Sequence, residues 1–169
     1  MTKKISLHDF QSYLAARLAG MGNQSSAGLL GIQAGSDYWL LDLADSGEIV
    51  PLTPLTTVPL TRPWFAGIAN IRGNLYSAVD FSAFLGKEAT PQNASSRLLL
   101  VGTRHGSNAA LLVTRMIGLR NVEALHPEAS DPAAPRWAHE SFTDNEGRRW
   151  RKLKVRELLA DEVFMDIGV

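Results

Sequence analysis

The sequence predicts a mainly β chain, built as two sets of short strands that each fold into a small barrel. Three observations lead there. Short apolar runs recur between Gly, Asn, Asp and Pro turns from Leu29 to Trp150, which is the texture of small barrels. Strand sets on either side of a polar stretch at residues 87–96 share an anatomy, each with a hairpin and a helix-like end. No apolar run reaches the ~20 residues of a membrane-spanning helix.

The chain opens with an expected helix. Leu7, Phe10, Leu14, Leu18 and Met21 recur at helical spacing, Ser6 can cap the first turn with Asp9 in a capping-box position, and Gly20 and Gly22 end it. This extension, residues 1–26, has two open readings: a cover over the barrel behind it, or an arm that binds a partner. Strands then follow. Leu29–Ala34 turns at Gly35-Ser36-Asp37 into residues 38–43, and a further apolar stretch, 48–52, comes after Ser46-Gly47. Prolines 51, 54, 59 and 63 make the next part an irregular connector, because proline fixes φ and has no N–H to give a sheet.

A hairpin comes next. Ile68 and Ile71 lead into a turn at Arg72-Gly73-Asn74, and Leu75, Tyr76 and Val79 lead out. Gly73 accepts a positive φ there and Asn74 tolerates one. Arg72 at the tip is either a solvated turn charge or a side chain displayed to a partner. Residues 81–85 form one helical turn that stops at Gly86.

Beyond the polar loop, residues 97–102 and Ala109–Val113 are continuously apolar strands joined at 104–108, which predicts burial on both faces. Residues 117–122 alternate as a further strand, 123–135 read as a long loop, and Phe142-Thr143 and Trp150 flank a hairpin turn at 144–147. A short C-terminal helix is expected over 153–159. The predicted organisation is therefore an extension at 1–26 and a single domain at 27–165, with lobes at about 27–86 and 97–165.

Composition narrows the function. The 17 basic and 17 acidic residues cancel, which argues against duplex binding. The absence of cysteine excludes disulfides and thiolate metal sites and suits a reducing cytosol. The basic start has no apolar core behind it, since residues 6–9 interrupt one, so a cytoplasmic protein is expected. His8, His105, His126 and His139 share no ligand spacing, and no nucleophile elbow or phosphate loop occurs. The expectation is no catalytic residue, no metal and no cofactor.

One charge feature stands out: Arg148, Arg149, Arg151, Lys152, Lys154 and Arg156, six cations in nine residues. A single-strand nucleic-acid patch with Trp150 as a stacking face is one reading. The other is a solvated strand, with Arg149 and Arg151 alternating outward and Glu140, Asp144, Glu146, Glu157, Asp161 and Glu162 neutralising the field. Trp39, Trp64, Phe65, Trp137 and Trp150 read as core or lobe-junction packing, with partner contact open for those near hairpin tips.

Residues 58–73, Val-Pro-Leu-Thr-Arg-Pro-Trp-Phe-Ala-Gly-Ile-Ala-Asn-Ile-Arg-Gly, with Val79-Asp80-Phe81 and Leu85-Gly86 beyond them, resemble the signature of the CheW family, coupling proteins of bacterial chemosensory arrays. About thirty contiguous residues keep the Asn, the Arg and both glycines in register; Ser77 departs, where the family usually has proline. The resemblance implies two packed SH3-like five-stranded barrels and a non-catalytic adaptor. Its partners would be the cytoplasmic tip of a chemoreceptor (a methyl-accepting chemotaxis protein) and the regulatory domain of a CheA-type histidine kinase, in the cytoplasm and recruited to membrane receptor arrays. It further implies a receptor-binding set of Arg72, Gly67, Glu48 and Ile49, with Asn70 and Gly73 holding the turn. Ser46 stands where the family commonly has an aliphatic residue. The N-terminal helix and the Trp-rich texture resemble the type serving type IV pili and twitching motility. A flagellar coupling protein, a small β-barrel nucleic-acid module and an enzyme with a site between the lobes are the alternatives.

Overall fold

A computed structural model describes Gln11, residues 28–101 and residues 106–169. The helix expected within 1–26, His8, and the Arg104-His105 part of the second reversal lie outside the described residues.

Among the described residues, twelve strands form two six-stranded sheets. The first contains β1 (Leu29–Ala34), β2 (Asp37–Asp42), β9 (Arg115–Arg120), β10 (Leu125–Pro127), β11 (Ser141–Asp144) and β12 (Arg149–Lys152), in the order β10-β11-β12-β2-β1-β9. The second contains β3 (Ser46–Pro51), β4 (Leu55–Thr56), β5 (Phe65–Ile71), β6 (Asn74–Asp80), β7 (Arg97–Val101) and β8 (Ala109–Val113), in the order β3-β7-β8-β6-β5-β4. Neighbours are antiparallel except β12 with β2 and β6 with β8, where segments distant in sequence meet.

Two expectations need correction. The lobes are not residues 27–86 and 97–165. The chain leaves the first sheet after β2, builds the whole second sheet, and returns at β9. The polar loop at 87–96 therefore joins two strands of one sheet and divides nothing. Each sheet also has six strands where five were expected. The additional ones, β4 and β10, are two and three residues long and lie in the stretches read as connector and loop.

Period-two alternation explains the core. On β8, Ala109, Leu111 and Val113 face a shared core between the sheets, while Ala110 and Leu112 face the interior of the second sheet. On β7, Leu99 and Val101 face the shared core and Leu98 and Leu100 the interior. In the first sheet Leu30, Ile32, Ala34, Trp39 and Leu41 face the shared core, and Leu29, Leu40 and Trp150 the other side. Strands buried on both faces are what the continuous apolar runs predicted.

Aromatic rings fill the junction. Trp39 meets Phe81 at 5.1 Å and Trp137 at 5.9 Å between ring centroids, and Phe84 meets Trp64 at 5.0 Å. Helices α1 (Phe81–Phe84), α2 (Val155–Leu159) and α3 (Glu162–Met165) supply Phe81, Val155, Leu158 and Phe164 to the same core. The two later helices close the C-terminal side, where Val169 N–H donates to Leu60 O at 2.9 Å.

Candidate functional site

The signature hairpin is β5 and β6. Ile71 pairs with Asn74, so Arg72 and Gly73 are the two central turn residues. Both have positive φ, 53° and 85°, as a two-residue hairpin of the I′ kind requires. The left-handed non-glycine residue is thus Arg72 and not Asn74, because the strand register puts Asn74 in the ladder. The Asn70 carboxamide accepts from Gly73 N–H at 2.9 Å, holding the turn from the strand before it.

Arg72 also has a partner at the tip: its guanidinium donates to the Glu48 carboxylate of β3 and forms an ion pair with it. In a flat sheet β3 and β6 would lie about 14 Å apart, three strand spacings. The curl of the second sheet and two long side chains close that gap. The Glu48 hydrogen bond and charge raise the Arg72 pKa above its already high value, so the guanidinium stays charged at any physiological pH. Arg72 remains 67% exposed.

Of the four residues implied for receptor binding, the structure brings Arg72 and Glu48 together. Ile49 is half-buried on the other face of β3, against the core between the sheets. Gly67 is buried in β5 with φ 135°, and a Cβ there would stand 2.5 Å from the Thr56 carbonyl oxygen of β4. The close backbone approach it permits is therefore made by the chain's own edge strand.

Three further residues gain a physical account. Ser46 is buried and its hydroxyl donates to Leu43 O at 2.9 Å, so it ties the β2–β3 turn. Ser77 N–H donates to Asn108 O at 2.9 Å, a bond that a proline could not make. Asp80 caps α1 by accepting from Ala83 N–H, and it also accepts from the Thr90 hydroxyl at 2.6 Å and N–H at 2.8 Å. The aspartate that ends the signature thereby anchors the polar loop. Leu75, expected from the sequence only as a strand residue leading out of the turn, is 59% exposed, an apolar side chain at a polar hairpin tip.

The basic run is divided by the fold. Trp150 is fully buried and donates its indole N–H to Asp144 at 3.0 Å, so it offers no stacking face. Arg149 pairs with Glu128 at 3.0 Å and Lys152 with Asp42 at 3.2 Å. Arg149 and Arg151 are exposed, as alternation predicted. Trp39, Phe65 and Trp137 are buried as well. No helix among the described residues is long and apolar enough to cross a membrane.

A double-sheet fold, a CheW-type signature hairpin and an exposed Arg at its tip define a class. The CheW-like domain model matches residues 28–163, and the chain belongs to that family. It is a coupling or scaffold protein of the chemosensory kind, not an enzyme. Protein PilI of Pseudomonas aeruginosa is 26% identical over 152 residues, which cover 86% of this chain and 82% of that protein. The crystal structure of the scaffolding protein TtCheW from Thermoanaerobacter tengcongensis matches in fold with a TM-score of 0.63 at 18% identity, covering 76% of this chain and 89% of that one.

Proposed function

We propose that this chain couples the cytoplasmic tip of a chemoreceptor to the regulatory domain of a CheA-type histidine kinase, in a pathway controlling type IV pili and twitching motility. The observation that carries the reading is Arg72, held in a left-handed turn by Asn70 and Glu48 with its guanidinium still exposed. An exposed ion pair contributes little to stability, so a partner carboxylate can replace Glu48 at small cost. Leu75 beside it supplies an apolar contact, while Ile49 supports β3 from the core side without touching the partner. Asn70 and Gly73 shape the turn, and Gly67 acts through β4 packing without touching the partner. Likeness to PilI supports the pilus assignment over a flagellar one.

The adaptor works by binding alone. One surface, on the second sheet, engages the receptor; another engages the kinase, and the adaptor is thereby recruited to receptor arrays at the membrane. The test is binding of Arg72→Glu to a purified receptor cytoplasmic fragment. Lost binding with an unchanged thermal unfolding curve is expected, and wild-type affinity in a folded variant would remove Arg72 from the interface.

A further inference from the structure

The basic run leaves three guanidiniums without an ion pair among the described residues, Arg148, Arg151 and Arg156, and two of them share a cavity. Arg149, Lys152 and Lys154 each have a carboxylate partner. Arg148 and Arg151 line one cavity of about 560 Å³ at the end of the first sheet. The fold builds it by pairing β12 parallel to β2 with Trp150 opposite Tyr38, which sets the β1–β2 turn beside the entry of β12.

Aromatic faces fix both guanidiniums. Arg148 lies 4.2 Å from the centroid of the Tyr38 ring, and Arg151 lies 5.8 Å from that of Trp39. A cation–π contact is made to the ring face and occupies no hydrogen-bond acceptor, so the guanidinium keeps N–H donors for phosphate or carboxylate oxygens. Of the two acidic residues in the lining, Asp37 is held by Lys87 at 2.8 Å. The other, Glu146, is exposed at the β11–β12 turn. The exposed Ser36 adds a hydroxyl at the rim. The volume falls among small-molecule sites and exceeds what one phosphate fills.

We propose that this cavity binds a small phosphorylated molecule, with Arg148 and Arg151 gripping its phosphate groups. The site is on the first sheet and stands independently of the Arg72 surface on the second.

Calorimetric titration of the full chain at low salt, with inorganic pyrophosphate and ADP as probes, tests it. Saturable one-site binding is expected, weakened about tenfold in Arg151→Gln and in Arg148→Gln. It should be unchanged in Arg156→Gln, whose arginine belongs to the same basic run but lies in the last turn of α2 outside the cavity. Arg151 is exposed, so its variant tests binding even if Arg148→Gln unfolds. Equal affinity for both probes places recognition in the phosphates, and tighter ADP adds a contact to the nucleoside. The absence of saturable binding, or an equal loss in Arg156→Gln, overturns the proposal by reducing the site to diffuse charge.

Discussion

Gly67→Ala and Gly73→Ala should separate two physical reasons for glycine within one signature. At Gly73 the backbone has φ 85° and open space where a Cβ would go. Only the left-handed conformation resists alanine there, at about 1–2 kcal/mol. Gly67 has φ 135°, a region almost confined to glycine, and its Cβ would stand 2.5 Å from Thr56 O. The conformational cost alone is about 1–3 kcal/mol. Relieving the overlap also pushes away β4, which pairs with β5 only through Leu55 with Ala69 and Thr56 with Ile68. Losing that pairing adds about 1–2 kcal/mol at ordinary hydrogen-bond values. Gly67→Ala should therefore cost about 2–5 kcal/mol, lowering the melting temperature by roughly 4–20 °C for a chain of this size. Gly73→Ala should lower it by roughly 2–8 °C. Thermal unfolding followed by circular dichroism reads both. If Gly67→Ala costs no more than Gly73→Ala, the close approach of β4 is not what makes Gly67 a glycine.

Other consequences can be measured on the same preparation. Leu111→Ala and Leu112→Ala open cavities on opposite faces of β8 and should each cost about 2–5 kcal/mol. Both variants should still unfold in one transition, because the chain crosses between the sheets twice; separate transitions would show that the sheets fold independently. Burial pushes the Asp144 pKa up, but the Trp150 indole, the backbone N–H groups of Arg148 and Glu146, and the Arg148 charge outweigh it and hold the pKa below its ordinary value of 3.8. Stability from Asp144 is then complete above pH 3.8 and is lost as the pH falls through the lower folded value. Asp144→Asn should be less stable than wild type at neutral pH, with the gap closing below about pH 4; a gap of constant size would contradict this.

How much of this was legible in the sequence depends on how local each feature is. The run of residues 97–101 and Ala109–Val113 announced strands buried on both faces, and so they are. The hairpin at 144–147 was equally plain, since Asp144 caps its own turn through Glu146 and Arg148 N–H. Sheet membership was not legible. Nothing local marks where the chain changes sheets, while the polar residues at 87–96 mimic a boundary. Short edge strands β4 and β10 carry too few residues to show a period, and prolines flank or occupy both. At the site, the signature located Arg72 and the family resemblance implied Glu48, but their ion pair spans 24 positions and depends on the curl of the sheet. The left-handed Arg72 followed from strand register, which composition does not encode.

The most direct test of the adaptor account is a capture of partners from host lysate, using the purified protein and its Arg72→Glu variant as parallel baits. The account predicts that the wild-type protein retains a CheA-type histidine kinase and a chemoreceptor, and that the variant keeps the kinase while losing the receptor. Retention of neither by the wild-type protein, or of both by the variant, would contradict it.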